Sequence, residues 1–150
     1  VPDSDPGRPP AQTRRFTFRR RHRLAHVREF QAVHANRLRK SAGPLVVLAR
    51  PNALAEPRLG LTVSRRVGPA VRRNRIKRLL REAFRLCRGD LPGADGGSYD
   101  LVVIVRPHAP LPLDRYRQLL ATTADALDRE QRRRDRRAGR TDGPEAPDDS

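Results

Sequence analysis

Hydrolytic chemistry at a metal needs several carboxylates converging on the ions. Between Phe16 and Asp114 the acids are Glu29, Glu56, Glu82, Asp90, Asp95, Asp100 and Asp114, spread singly with no clustered pair. His22 and His26 are four apart, but "HRLAH" lacks the glutamate that gives a zinc-protease motif its meaning. His108 stands alone beside two prolines. The one cysteine, Cys87, excludes an internal disulfide and a cysteine-rich zinc site, and fits a reducing compartment. These residues supply neither a catalytic group nor a metal site. What remains is cationic chemistry: ten basic residues between Arg65 and Arg88 meet a single acid, Glu82. Guanidinium forks bind phosphate.

The elements that must position those cations follow from composition and periodicity. The chain has 150 residues and a formal charge of +16, yet its first and last thirteen residues are each net acidic, so the excess sits on the middle. A body so charged calls for a polyanion, either nucleic acid or an anionic membrane. No apolar run approaches the roughly 18 residues of a membrane span, and the amino terminus lacks a hydrophobic signal core, so a cytoplasmic location is expected. Pro, Gly, Asp and Arg dominate both ends. The expected organisation is a disordered leader over 1–15, one RNA-binding domain over 16–130 and a disordered tail over 131–150.

Phe16 and Phe18 fall in a basic, extended arm. "AHVREFQAVHAN" carries Val27, Phe30 and Val33 at helical spacing, with Asn36 as a stop. "PLVVLAR" after Pro44 reads as a strand, and "RLGLTVS" as a second one whose Leu59, Leu61 and Val63 share a buried face. Gly68 and Pro69 end that strand and start a helix that runs to about Arg88. "YDLVVIVRP" is the most apolar strand and is expected at the centre of the sheet. "LDRYRQLLATTADAL" places Leu113, Tyr116, Leu119, Leu120, Thr123 and Leu127 on one helical face. "DREQRRRDRRAGR" has no apolar stripe and reads as a frayed extension or tail. Helices interleaved with at least three strands make a two-layer α/β sandwich.

Projected at about 100° per residue, the central helix divides cleanly. Ile76, Leu79, Leu80, Ala83, Phe84, Leu86 and Cys87 fall on one arc; Asn74, Arg75, Lys77, Arg78, Arg81, Arg85 and Arg88 fall on the other. Lys77/Arg81 and Arg81/Arg85 are repulsive at i,i+4, and Arg78/Glu82 is attractive. Ordinary solvated faces mix signs because like charges at that spacing destabilise the helix. A face kept repulsive indicates nucleic-acid contact. The apolar arc lacks Trp and is needed for the core, which disfavours a membrane role. No second turn-linked helix, zinc pattern or zipper accompanies the helix, so RNA recognised by shape and phosphate is favoured over duplex DNA. Two other readings are a ribosomal or RNA-assembly protein without a part in cleavage, and a basic DNA-packaging protein.

The run "RLGLTVSRRVGPAVRRNRIKRLLREAFR", Arg58 to Arg85, resembles the signature of the bacterial ribonuclease P protein component. Upstream, "RLAHVREFQAVHANR" is similar to that family's first helix, and "YDLVVIVRP" to its last strand. The resemblance covers about Phe16 to Leu127. It implies a small mixed sheet of about four strands with three helices and a left-handed βαβ crossover, against the usual right-handed rule. It also implies a partner, a catalytic RNA that removes the 5′ leader of precursor tRNA with magnesium ions ligated mainly by that RNA, with one protein per RNA. Carried over by motif, Ser64, Arg65, Arg66, Arg73, Asn74, Arg75, Lys77, Arg78 and Arg81 form the RNA-contacting set. Phe30, His34 and Leu48 occupy the positions of a cleft for the single-stranded leader. The family often has aromatic residues where this chain has His34 and Leu48, which leaves base stacking mainly to Phe30.

Overall fold

A computed structural model describes residues 20–93 and 97–141. The expected leader, Phe16, Phe18, Asp95 and the end of the tail lie outside the described residues. The strands are β1 (Leu38–Ala42), β2 (Leu45–Pro51), β3 (Arg58–Val63) and β4 (Tyr99–Val105). The helices are α1 (Val27–Ala35), α2 (Ala70–Cys87) and α3 (Leu113–Thr141). The sheet order is β1-β2-β4-β3; β1/β2 and β2/β4 are antiparallel, and β3/β4 are parallel and joined through α2. The most apolar strand, β4, therefore takes an internal position, as its composition predicts.

Alternation splits the sheet into two faces. Leu45, Val47 and Ala49 of β2, with Leu59 and with Leu101, Val103 and Val105 of β4, join Ile76, Leu80, Phe84, Tyr116, Leu120 and Leu127 in the main core. Here α2 packs against β3 and α3, while α3 packs against β1 and β2. On the other face Val46, Leu48 and Val102 form a smaller cluster with Leu24, Val33 and half-buried Phe30, so α1 covers part of it.

Two elements depart from the sequence reading. β1 has only Leu38 and Ala42 as apolar residues, so its pattern is too weak to announce a strand; its pairing with β2 supplies what the pattern lacks. The charged segment after Leu127 is not frayed: α3 continues to Thr141. Side-chain bonds one turn apart support it, Arg132 to Asp128 at 2.9 Å and Gln131 to Asp135 at 3.0 Å, with Arg133 pairing to Glu130. Arg134 also anchors it, donating to the carbonyls of Asn36 and Arg37 at 2.6 and 2.7 Å.

Candidate nucleic-acid interface

The buried flank of α2 is Ile76, Leu80, Ala83, Phe84 and Cys87, at most 3% exposed. Opposite it, Asn74, Arg75 and Arg78 are exposed, and Arg73, Lys77 and Arg81 are half-buried. Ser64, Arg65 and Arg66 are exposed on the turn between β3 and α2, where Arg65–Val67 form one 3-10 turn. Buried Val67 pins that turn to the core, and Gly68 reverses the chain at φ 145, which glycine adopts readily. Arg73 Nε donates to the Gly68 carbonyl at 3.0 Å, so this guanidinium also fastens the corner. The whole RNA-contacting set of the sequence analysis thus lies on one corner and one helical flank.

The electrostatics of this flank are unfavourable in the isolated protein. The first turn of α2 has no acid, although its positive dipole end favours one. Among the described residues no carboxylate lies within ion-pair distance of Arg65, Arg66, Arg75, Lys77 or Arg78. Burial, and then the neighbouring charge of Arg23, lowers the proton affinity of Arg81. Arg75, Arg78, Leu79, Arg81 and Glu82 border an open depression of about 540 Å³. Phosphates placed there would relieve the repulsion through charge-assisted hydrogen bonds.

Two cations of the arc behave otherwise. Glu82 pairs with Arg85, whose Nε donates to it at 3.0 Å, instead of with Arg78. Arg88, expected on the cationic face, is 7% exposed. The chain tightens into a 3-10 turn at Arg88–Asp90, so the helical projection no longer applies there. Its Nη1 donates to His22 Nδ1 at 2.8 Å, and the other ring nitrogen of His22 faces Glu56. Burial lowers the His22 pKa below its ordinary 6.5 and the Arg88 charge adds to this, against the hydrogen bond to Glu56.

On the other face, Phe30 lies against bare backbone: a methyl group at Gly60 would come within 2.6 Å of its ring. Phe30 and exposed His34 line an open depression of about 520 Å³ with Ala25, Val27, Gln31 and Arg37. Leu48 is not among those residues; it is 3% exposed in the cluster with Val33. The register puts Ser41, Val46, Ile104 and Thr62 in the next row, of which Ser41 and Thr62 are exposed and Ile104 half-buried. Apart from buried Val46, that row is the accessible floor of this face, which sequence spacing alone could not single out without the pairing of β1.

Both ends of α1 are tied down. Glu29 accepts the backbone N–H groups of Ala25 and His26 at 3.0 and 3.2 Å and Arg58 Nη1 at 2.9 Å. Burial opposes ionisation of Glu29, but these donors hold its pKa below the ordinary value. Arg58 also binds fully buried Asp100 through two bonds of 2.8 Å. Two of the isolated acids, Glu29 and Asp100, thus share one structural network through Arg58.

Among the described residues no group of three or more His, Cys, Asp or Glu could hold a metal ion. Burial pushes the Cys87 thiol up to about 11, which leaves it unreactive. His108 Nε2 lies 2.7 Å from the Tyr116 hydroxyl and its Nδ1 2.8 Å from the Arg106 carbonyl, so it is a loop fastener. No helix among the described residues is long and apolar enough to cross a membrane.

A family model described as Ribonuclease P matches residues 18–134. The chain is 50% identical over 95 residues to the ribonuclease P protein component of Methylococcus capsulatus, covering 63% of this chain and 70% of that one. Its fold is similar to the RNase P protein of Staphylococcus aureus, with a TM-score of 0.59 and 26% identity over 70% of this chain and 94% of that one. It is equally similar to the RNase P protein of Thermotoga maritima, with a TM-score of 0.58 and 32% identity over 71% and 96% of the two chains.

Proposed function

Because the chain belongs to the ribonuclease P protein family, an RNA-binding component of a tRNA-processing ribonuclease, we propose that it docks on the ribonuclease P RNA through the face from Ser64 to Arg81. The outer face of the sheet beside α1 then holds the single-stranded 5′ leader of precursor tRNA. One protein serves one RNA, and the RNA performs the cleavage. The observation that carries this reading is the flank of α2, cationic, outward-facing and, among the described residues, without acidic partners for Arg75, Lys77 and Arg78.

The protein's part follows from that charge. Two RNA segments brought together repel through their phosphates, and fixed guanidinium groups between them lower the repulsion and release counterions. In this reading the magnesium ions are ligated mainly by the RNA, among whose phosphates they would sit. On the leader side, the Phe30 ring offers an apolar stacking surface and His34 a polar edge at the rim of the depression. Leu48 supports the floor from within the core instead of meeting the strand.

The test mixes the protein with a ribonuclease P RNA and a precursor tRNA at low magnesium. Accelerated 5′ cleavage is expected, together with tighter binding of precursor than of mature tRNA. Cleavage unchanged by the protein would refute the role and leave a structural RNA-binding protein.

A further inference from the structure

The α1–β1 turn is the point where three elements meet. Arg37 has φ 57, a left-handed conformation that an arginine adopts only when its surroundings impose it. Asn36 Nδ2 donates to the Ala49 carbonyl of β2 at 2.9 Å and to Gln131 Oε1 of α3 at 3.4 Å. Arg134 of α3 donates to the Asn36 and Arg37 carbonyls at 2.6 and 2.7 Å. A guanidinium therefore sits at the negative end of α1 and satisfies the carbonyl of its C-cap residue and that of the next residue in the turn. It comes from the charged segment past Leu127, remote in sequence and without an apolar stripe of its own.

We infer that Arg134 is a positioning residue: the extension of α3 clamps the C-terminal end of α1 and so sets the width of the surface on which the leader lies. This rests on the reading of the α1 face given above. The other end of α1 is fixed by Glu29 and Arg58. With both ends fixed, Phe30 and His34, on the depression between them, keep a constant height over the sheet. Releasing the Arg134 end lets α1 pivot about the Glu29 end, and His34, in its last turn, moves most. The face of α2 packs elsewhere in the molecule and is unaffected.

The experiment compares the full chain with Arg134→Ala and Arg134→Lys, each assembled with a ribonuclease P RNA. Cleavage is measured on precursor tRNA with a leader long enough to cross the α1 face and on one with a leader too short to reach it. For Arg134→Ala, KM for the long-leader precursor rises about five-fold with kcat and affinity for the ribonuclease P RNA unchanged, because a displaced contact surface weakens binding without touching the chemistry. The short-leader KM stays the same, and Arg134→Lys recovers part of the loss. Amide exchange at Val33 to Arg37 quickens in Arg134→Ala.

If the wild type prefers the long leader and Arg134→Ala keeps that preference while exchange quickens, the clamp is structural only and the inference is overturned. An equal loss on both precursors, or in affinity for the ribonuclease P RNA, overturns it as well, since Arg134 would then touch RNA directly or support the whole fold. A wild type indifferent to leader length refutes the reading of the α1 face itself, and the inference falls with it.

Discussion

In α2 and the turn before it, Arg65, Arg66, Arg75 and Arg78 point into solvent with no carboxylate in reach among the described residues. In the last turns of α3, Arg132 is bound to Asp128 and to the Gly93 carbonyl, Arg133 and Arg137 to Glu130, and Arg134 to two backbone carbonyls. Both segments are dense in arginine, and a count of charges does not separate them. What separates them is the partner of each guanidinium. The α3 arginines spend their hydrogen-bonding capacity inside the protein and hold a helix and a turn together. In the proposed role, Arg65, Arg66, Arg75 and Arg78 keep that capacity for RNA, whose phosphates offset their mutual repulsion. Arg73, bonded to the Gly68 carbonyl, Arg85, paired with Glu82, and Arg88, just past the end of α2 and buried against His22, behave like the α3 group.

The strongest way to break this contrast is to exchange effects between the segments. Replacing Arg75 and Arg78 together with Ala is expected to weaken binding to the ribonuclease P RNA by roughly 10- to 100-fold and to flatten its salt dependence by about one unit per lost phosphate contact. Denaturant unfolding should shift by no more than about 0.5 kcal/mol, because neither side chain packs in the core. A loss of stability instead of affinity would mean that this flank is structural.

The converse substitution is Arg132→Ala. It leaves Asp128, 9% exposed and also bonded to the Tyr99 hydroxyl at 2.7 Å, without its charged partner. A loss of about 1–2 kcal/mol in stability is expected, with RNA affinity at a fixed salt concentration unchanged within two-fold or so. Equal damage to binding would make the two arginine groups functionally alike and erase the contrast.

The smallest effect tests Arg88 and its partner. His22 binds its proton less readily in the folded protein than its ordinary 6.5. The unfolded chain therefore takes up that proton first as the pH falls. The contribution is complete above about 6.5 and is lost progressively below it, down to the folded-state value. Glu29 and Glu56, whose values are lowered from 4.5, lose their contributions only at more acid pH. Unfolding midpoints at pH 7 and pH 5 should thus show a drop in wild type that is reduced in His22→Gln. An equal drop in both would assign the acid sensitivity elsewhere.

Local pattern determined much of this protein. The strands around Leu45, Leu59 and Leu101 follow from their apolar content, and the two flanks of α2 from a 3.6-residue repeat, because burial acts on each side chain according to its direction from the axis. The corner from Ser64 to Gly68 follows from its glycine and proline. The cationic flank of α2 needed no more than that repeat and the scarcity of acids, whereas Ser64, Arg65, Arg66 and Arg73 joined the RNA-contacting set through the family resemblance.

Other features depend on contacts between residues far apart in the chain, and tertiary structure alone decided them. β1 exists because β2 pairs with it, not because "LRKSA" prefers to be extended. α3 runs to Thr141 because Arg134 finds carbonyls near residue 36 and Arg132 finds one in the loop at Gly93. Arg88 turns inward because His22 and Glu56 gather there, and Asp100 is stable in the interior because Arg58 lies opposite it in the register. A residue's periodicity fixes which way its side chain leaves the backbone. The partner it meets is fixed by how the elements pack, and a charged side chain becomes either a fastener or a binding group according to that partner.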